Sequence, residues 1–285
     1  MPLTYEEREN KLRERSQRLD SENLSYQEYI ALQFNELGEE CQADGEHDRA
    51  ISCFAQGAAL YGRILEKDPT NLDYKEGFGH SHLLKAESHT DISEYVEALD
   101  ALEVGDRVFR ECLELESENL KFKAGIALAC TLFSQSYLAL GRPEQAWQAN
   151  EEGVAQWRRL CKEWPDEQDC RLGLAGVLLL SMEIGQDPAK KGIVIQHLQE
   201  GYELMERFSR VASRDNVAEA QKVLTTFALA IGIHHIEGLS DTAKGKQYLL
   251  EAESLAEILL LETPLDMEMR MIQEGIRDAL DDLGY

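Results

Sequence analysis

The chain has 285 residues, and its 54 acidic and 29 basic side chains give a formal net charge of −25 at pH 7. A surface this negative repels the phosphates of nucleic acids and of anionic lipids, so both are poor partners, and a basic or neutral protein suits it better. No apolar run approaches the roughly 20 residues of a membrane span, and the amino-terminal stretch is charged where a signal peptide is apolar. We therefore predict a cytoplasmic protein with no membrane partner.

Apolar residues recur at the spacing of an amphipathic helix through nearly the whole chain, and runs of alternating β-branched residues are absent. This pattern predicts an all-α fold. The first helix is expected to begin after Thr4, because Thr4 and Glu7 have the spacing of a capping box. The second is expected to begin after Ser25, with Glu28 in the same relation, and to run to about Ala43.

The next segment has the pattern of a helical hairpin. A turn at Asp44-Gly45 is followed by a helix predicted from about His47 to Lys67, which Pro69 ends because proline cannot continue a helix. Similar helix-ending pairs follow at intervals of 46 to 50 residues, at Asp68-Pro69, Glu118-Asn119, Trp164-Pro165, Arg214-Asp215 and Thr263-Pro264. Between them, turns are expected at Gly45, His89 to Ser93, Gly141 to Pro143, Gly185 to Pro188, and Gly238 to Asp241. The chain therefore divides into a capping helix (1–24), five hairpins (25–262) and a second capping helix (263–285).

The segment "FNELGEECQADGEHDRAISCF" resembles the tetratricopeptide (TPR) signature at five positions: Leu37, Gly38, Gly45, Ala50 and Phe54. The segment "YLALGRPEQAW" is similar at Tyr137, Gly141 and Ala146, and Gly238 and Ala243 give a weaker match in the last hairpin. The chain departs from the family in its period, which is close to 49 residues rather than roughly 34, and in having Ser93 near the place of a turn glycine.

The resemblance implies a right-handed α-solenoid of about 11–12 helices, with small residues where the helices cross and an aromatic residue packing into the next hairpin. Its concave face is lined by the first helix of each hairpin. Projecting the family's concave positions from the turn residues gives seven candidate partner contacts: Asn35, Glu39, His80, Glu87, Thr131, Gln135 and His235. The acidic charge favours a basic or amphipathic segment of another protein. A family clamp for a carboxylate-ended peptide is not expected, since no Lys or Arg lies between Ser25 and Ala43.

Residues 80–93 contain histidines whose spacing bears on metal binding and on catalysis. His80 and His82 are two residues apart on a helix and project in nearly opposite directions, so they do not bind one metal ion together. His89, Asp91 and Ser93 are the residue types of a catalytic triad, but in a short turn Asp91 or Ser93 is better explained as the cap of the next helix. We predict a non-enzymatic adaptor or scaffold without metal or cofactor, acting as a monomer or weak dimer. The alternative is a regulator whose superhelix responds to a peptide or effector.

Three further groups are expected to lie in the core. The cysteines Cys41, Cys53, Cys112, Cys130, Cys161 and Cys170 form no CxxC pair, so reduced core residues are predicted rather than a disulfide or zinc framework. Trp147, Trp157 and Trp164 are predicted to share one face of one helix. The capping helices are predicted to bury Leu3, Leu12 and Leu19 at one end, and Leu265, Met269, Ile272, Ile276 and Leu280 at the other.

Overall fold

The computed structural model describes residues 3–18, 23–210, 214–263 and 266–284. In these ranges the regular structure is entirely helical, which confirms the predicted all-α class, and twelve α-helices are present. The helices form two compact units, residues 1–163 and residues 164–285. The finer division into two capping helices and five hairpins stays a prediction.

Unit 1 contains α1 and three hairpins. Within each hairpin the two helices pack together, and consecutive hairpins pack through α3 against α4 and α5 against α6, while α1 packs on α2. The helices are α1 Tyr5–Gln17, α2 Leu24–Ala43, α3 His47–Lys67, α4 Leu72–Asp91, α5 Tyr95–Leu115, α6 Leu120–Ala139 and α7 Pro143–Glu163.

The three hairpins of unit 1 repeat with a period of 48 residues. The first helices are capped by Asn23, Asn71 and Asn119, whose side chains each accept a hydrogen bond from a backbone N–H two or three residues later. The capping box of α1 is confirmed, because Thr4 and Glu7 bond each other's backbone N–H. The prediction that α2 begins after Ser25 is wrong. The helix begins at Leu24, because the side chain of Asn23 accepts a hydrogen bond from the backbone N–H of Tyr26 and caps the helix there.

The turns inside these hairpins share one backbone geometry. Each contains a residue with positive φ, which is 77° at Gly45, 64° at Ser93 and 70° at Gly141. The N–H of the following residue bonds the carbonyl five residues back, as from Glu94 to His89 at 2.8 Å, which is the Schellman arrangement. Ser93 therefore does stand in the place of a turn glycine. The prediction that Asp91 or Ser93 caps α5 is wrong, because Glu94 holds that position and makes no side-chain cap bond.

Aromatic rings pack closely against glycines in unit 1. Phe54 lies against Gly38 of its own hairpin, where an added Cβ would be 2.5 Å from the ring. Tyr61 packs into the next hairpin, against Gly77 of α4. The reason is the length of α3, which brings a second aromatic residue two turns beyond Phe54 to the neighbouring hairpin.

Unit 2 contains two hairpins and a last helix, in which α8 packs on α9, α9 on α10, α10 on α11 and α11 on α12. A π-helical turn follows α10. The elements are α8 Gln168–Ile184, α9 Lys191–Ser209, α10 Arg214–Ile233, the π turn His234–Gly238, α11 Thr242–Glu262 and α12 Met267–Asp281. The residue with positive φ after the π turn is Ser240, at 57°, so Gly238 is not the equivalent of Gly45. The π turn widens the helix there and shifts the alignment.

The expected core residues are mostly in place. Met269, Ile276 and Leu280 of α12 are buried and Ile272 is half-buried, whereas Leu265 lies outside the described residues. Leu12 of α1 is buried; Leu3 is 44% exposed, contrary to the prediction, and Leu19 is also outside the described residues.

The tryptophans and cysteines follow the predictions with one correction. Trp157 is buried and Trp147 is half-buried, but α7 ends at Glu163, so Trp164 is not on that helix. The six cysteines are free thiols, five of them buried and Cys161 half-buried. Burial raises the pKa of the Cys53 thiol to about 12, which keeps it protonated and unreactive at neutral pH.

Candidate protein-binding surface

A row of three polar residues crosses the first helices of unit 1. Glu39, Glu87 and Gln135 each lie six residues before the positive-φ residue of their turn, so they are equivalent positions of the 48-residue repeat. The helices that carry them are neighbours, because α2 contacts α4 and α4 contacts α6. Glu39 and Gln135 are exposed and Glu87 is half-buried.

A second row lies two helical turns before the first. It contains Leu32, His80 and Leu128, each seven residues earlier and therefore on the same side of its helix. Leu32 is 45% exposed, His80 is exposed and Leu128 is half-buried. We call these two rows the first-helix face; its members are Leu32, Glu39, His80, Glu87, Leu128 and Gln135.

Polar contacts connect α2 and α4 along this face. The Nε2 atom of His80 lies 3.9 Å from Oε1 of Glu39, and both side chains are about half exposed. Further along, Gln42 donates a hydrogen bond of 3.0 Å from Nε2 to Oδ2 of Asp91. The same carboxylate lies 3.3 Å from Nδ1 of His47. Two acidic side chains, Glu39 and Asp91, therefore lie beside the amide of Gln42 and the imidazoles of His80 and His47.

The carboxylate of Glu87 lies in a half-buried, acidic environment. Burial and the neighbouring charge of Asp91 raise its pKa above the usual value of 4.5, and these effects outweigh a hydrogen bond with Gln42 and the charge of His80. A raised pKa means that the ionised form is less stable here than in water. A Lys or Arg side chain brought to this position would stabilise the carboxylate.

Asn35 does not lie on the open part of the face. Its side chain is buried between α2 and α4, where its Nδ2 donates to Oγ of Ser81 at 2.8 Å. The Oγ of Ser81 is also 3.1 Å from Oδ1 of Asn35 and donates to the carbonyl of Gly77 at 2.8 Å. Asn35 therefore lies outside the first-helix face and joins two hairpins through its hydrogen bond to Ser81.

Thr131 and His235 also have other surroundings. The hydroxyl of half-buried Thr131 donates to the carbonyl of Ala127 at 3.1 Å and accepts a 3.2 Å hydrogen bond from Nε1 of Trp157. His235 is buried in the π turn of unit 2, with its ring parallel to that of Tyr248. Desolvation lowers the pKa of His235. The sequence prediction of His235 as a partner contact took Gly238 as the turn residue, whereas the residue with positive φ in this turn is Ser240.

The structure adds four residues that the sequence projection missed: Leu32, Gln42, Asp91 and Leu128. The signal that could have found the two leucines is the period itself, because counting 48 residues in both directions from His80 reaches Leu32 and Leu128. Gln42 and Asp91 come together only through the packing of α2 on α4.

Metal ions in proteins are bound by groups of histidine, cysteine and carboxylate side chains. In the described ranges, no three of them are placed to hold a metal ion. Burial lowers the pKa of His82 to about 4, so this imidazole is neutral at physiological pH. None of the described helices is long and apolar enough to cross a bilayer.

The regular structure of the described residues is all-α, and its helices form antiparallel hairpins stacked within each compact unit. Among solved structures the chain is similar to a TPR-repeat protein from Bacteroides fragilis, with 14% identity, a TM-score of 0.27, and coverage of 87% of this chain and 98% of that one. It is also similar to Nro1, a hypoxic regulator of sterol synthesis described as a nuclear import adaptor, with 12% identity, a TM-score of 0.36, and coverage of 94% and 99%. No protein-family model and no curated protein matches the chain.

Proposed function

We propose that this protein is a non-enzymatic adaptor or scaffold that binds a basic, amphipathic segment of another protein on the first-helix face of unit 1. The observation that carries the proposal is the equivalence of Glu39, Glu87 and Gln135 on three adjacent first helices. Stacked hairpins supply an extended surface rather than a closed pocket, which suits a peptide or a helix better than a small substrate.

The chemistry of the two rows defines the partner. Glu39 and Glu87 favour Lys or Arg, and the partly exposed Leu32 and Leu128 favour an apolar side chain two helical turns away. Because burial already disfavours the ionised form of Glu87, a partner's cation gains more from this carboxylate than from a fully solvated one. A segment that alternates basic and apolar residues satisfies both rows.

The test is affinity capture from the native host with a variant in which the acidic row of Glu39, Glu87 and Gln135 is made basic. Glu39→Lys, Glu87→Lys and Gln135→Lys are combined, and bound proteins are compared with those of the unaltered chain by mass spectrometry. The matched control combines Glu66→Lys, Glu114→Lys and Gln145→Lys, which makes the same charge change at exposed positions of the second helices α3, α5 and α7. We expect the row variant to lose a partner that the control retains.

Direct titration gives a second readout. A synthetic peptide with alternating Lys and Leu is expected to bind the unaltered chain and the control, and to bind the row variant at least about tenfold more weakly, a difference of roughly 1.4 kcal/mol. A peptide with Glu in place of Lys is the negative probe. Equal affinity of all three proteins for the Lys peptide would place binding elsewhere and refute the proposal.

A further inference from the structure

The first helix of unit 1 is held by polar groups more than by apolar ones. Of the 13 residues of α1, only Glu9 and Leu12 are buried. Leu12 belongs to the same core cluster as Ile30 and Phe34 of α2, and Tyr5 packs at its edge. By comparison, eight residues of α3 are buried. Both helices pack on a neighbouring first helix, α1 on α2 and α3 on α4, but α1 buries fewer residues.

The carboxylate of Glu9 is the centre of the polar contacts. The side chain is 8% exposed, and its Oε2 accepts from Nη1 of Arg49 at 3.0 Å. Its Oε1 accepts from Oγ of Ser52 at 3.0 Å and from Nη2 of Arg13 at 2.6 Å. A carboxylate taken out of water needs such partners, so the docking of α1 depends on the cation of Arg49 and the hydroxyl of Ser52 on α3.

Two exposed contacts hold the amino-terminal half of α1. Both terminal nitrogens of Arg8 bond the carboxylate of Glu40, one of them at 2.8 Å. The hydroxyl of Tyr5 donates to Oδ2 of Asp44 at 2.6 Å. Ion pairs at the surface are screened by salt, whereas apolar contacts are not weakened by it.

We propose that α1 is an ion-paired strap that detaches from α2 and α3 while the three hairpins of unit 1 stay folded. An isolated helix of this length is marginal in water, so α1 loses its structure when it is released. Release takes Leu12 out of its core cluster and leaves the α2–α3 hairpin as the free end of unit 1. Salt screens the exposed Arg8–Glu40 pair more than the partly buried Arg49–Glu9 pair, and this screening favours the open form. The strap is independent of the partner proposed for the first-helix face.

Hydrogen exchange of the full chain, followed by mass spectrometry, tests the strap. The measurement is made in about 50 mM and about 1 M NaCl, between which the screening length falls from well above 10 Å to about 3 Å. We expect the amides of α1 to exchange at least about tenfold faster at high salt, while those of α3 and α6 change less than about twofold. Exchange of α1 that is independent of salt, or that occurs only together with α3, would overturn the proposal.

Two variants and one control separate the Glu9 contacts from general charge effects. Glu9→Gln and Arg49→Gln are each expected to accelerate exchange in α1 about tenfold at low salt, with α6 unchanged. The control is Glu14→Gln, which removes the same charge from the same helix at an exposed carboxylate 4.0 Å from Arg18. If the control accelerates exchange as much as Glu9→Gln, or if Glu9→Gln has no effect, the strap is not held by this network.

Discussion

The ring of Tyr61 on α3 fills the space beside Gly77 on α4. A Cβ atom added at Gly77 would lie 2.2 Å from Cζ of Tyr61, closer than side-chain carbons approach one another. One repeat later, Phe109 lies against Gly125 in the same way, with an added Cβ 2.7 Å from the ring. A large ring from one hairpin and a glycine from the next therefore form a repeated joint between hairpins.

This joint predicts that Gly77→Ala destabilises the protein. Overpacking costs about 1–3 kcal/mol, and alanine recovers up to about 1 kcal/mol of it through its helix propensity, so a net loss of about 1–2 kcal/mol is expected. Urea unfolding measures the loss. The control is Gly62→Ala on α3, where the added Cβ makes ordinary contact, 3.7 Å from the ring of Phe78. That change is expected to be neutral or stabilising, and a similar loss from both would contradict the joint.

The turn of the second hairpin contains a residue whose replacement by glycine should stabilise the fold. Ser93 has a φ of 64°, a conformation that glycine adopts without strain and that costs other residues about 1 kcal/mol. We expect Ser93→Gly to raise the free energy of unfolding by about 1 kcal/mol. Gly141→Ser, at the equivalent turn with a φ of 70°, makes the reverse exchange and is expected to lower it by a similar amount. Thermal unfolding of both variants checks the signs.

The raised pKa of Glu87 predicts how stability depends on pH. Because the pKa is higher in the folded chain than in the unfolded chain, folding favours the protonated form. Its contribution is fully present below the unfolded pKa, near 4.5, and is lost as the pH rises through the folded pKa. Glu87→Gln should therefore be more stable than the unaltered chain at pH about 7, with the difference disappearing below pH about 4.5. Urea unfolding across this range measures it, and a difference that grows in acid would contradict the assignment.

The same group predicts how binding depends on pH. A cationic segment that stabilises ionised Glu87 lowers its pKa, so binding releases protons and weakens as the pH falls through the raised pKa. We expect this part of the pH dependence to be absent from Glu87→Gln when the Lys–Leu peptide is titrated by calorimetry. Persistence of the full dependence in that variant would show that another group is responsible.

Asn35 and Ser81 should affect stability rather than recognition. The hydrogen bond of 2.8 Å from Nδ2 of Asn35 to Oγ of Ser81 joins α2 to α4 in a buried position. Asn35→Ala is expected to cost about 1–3 kcal/mol because it leaves a buried hydroxyl with fewer partners. A double-mutant cycle with Ser81→Ala should give a coupling of about 1 kcal/mol or more. Gln135→Ala, at an exposed position, is expected to leave stability within about 0.5 kcal/mol.

The sequence by itself determined the class of fold and much of the helix layout. Helical periodicity, the Thr4–Glu7 box, and the helix from His47 to Lys67 are local features, and each was predicted within a residue or two. The position of Ser93 in place of a turn glycine was also readable, because turn chemistry acts over a few neighbouring residues.

Only the tertiary structure decided which polar side chains remain open. Asn35 and Glu39 are one helical turn apart, yet Asn35 bonds Ser81 of the next hairpin while Glu39 is exposed. The contact of Tyr61 with Gly77 of the next hairpin depends on helix length and crossing, and the π turn that contains His235 shifts an alignment that residue counting treats as fixed. Periodicity specifies the side of a helix that faces its neighbours, whereas burial and pairing depend on contacts between residues some 46 positions apart.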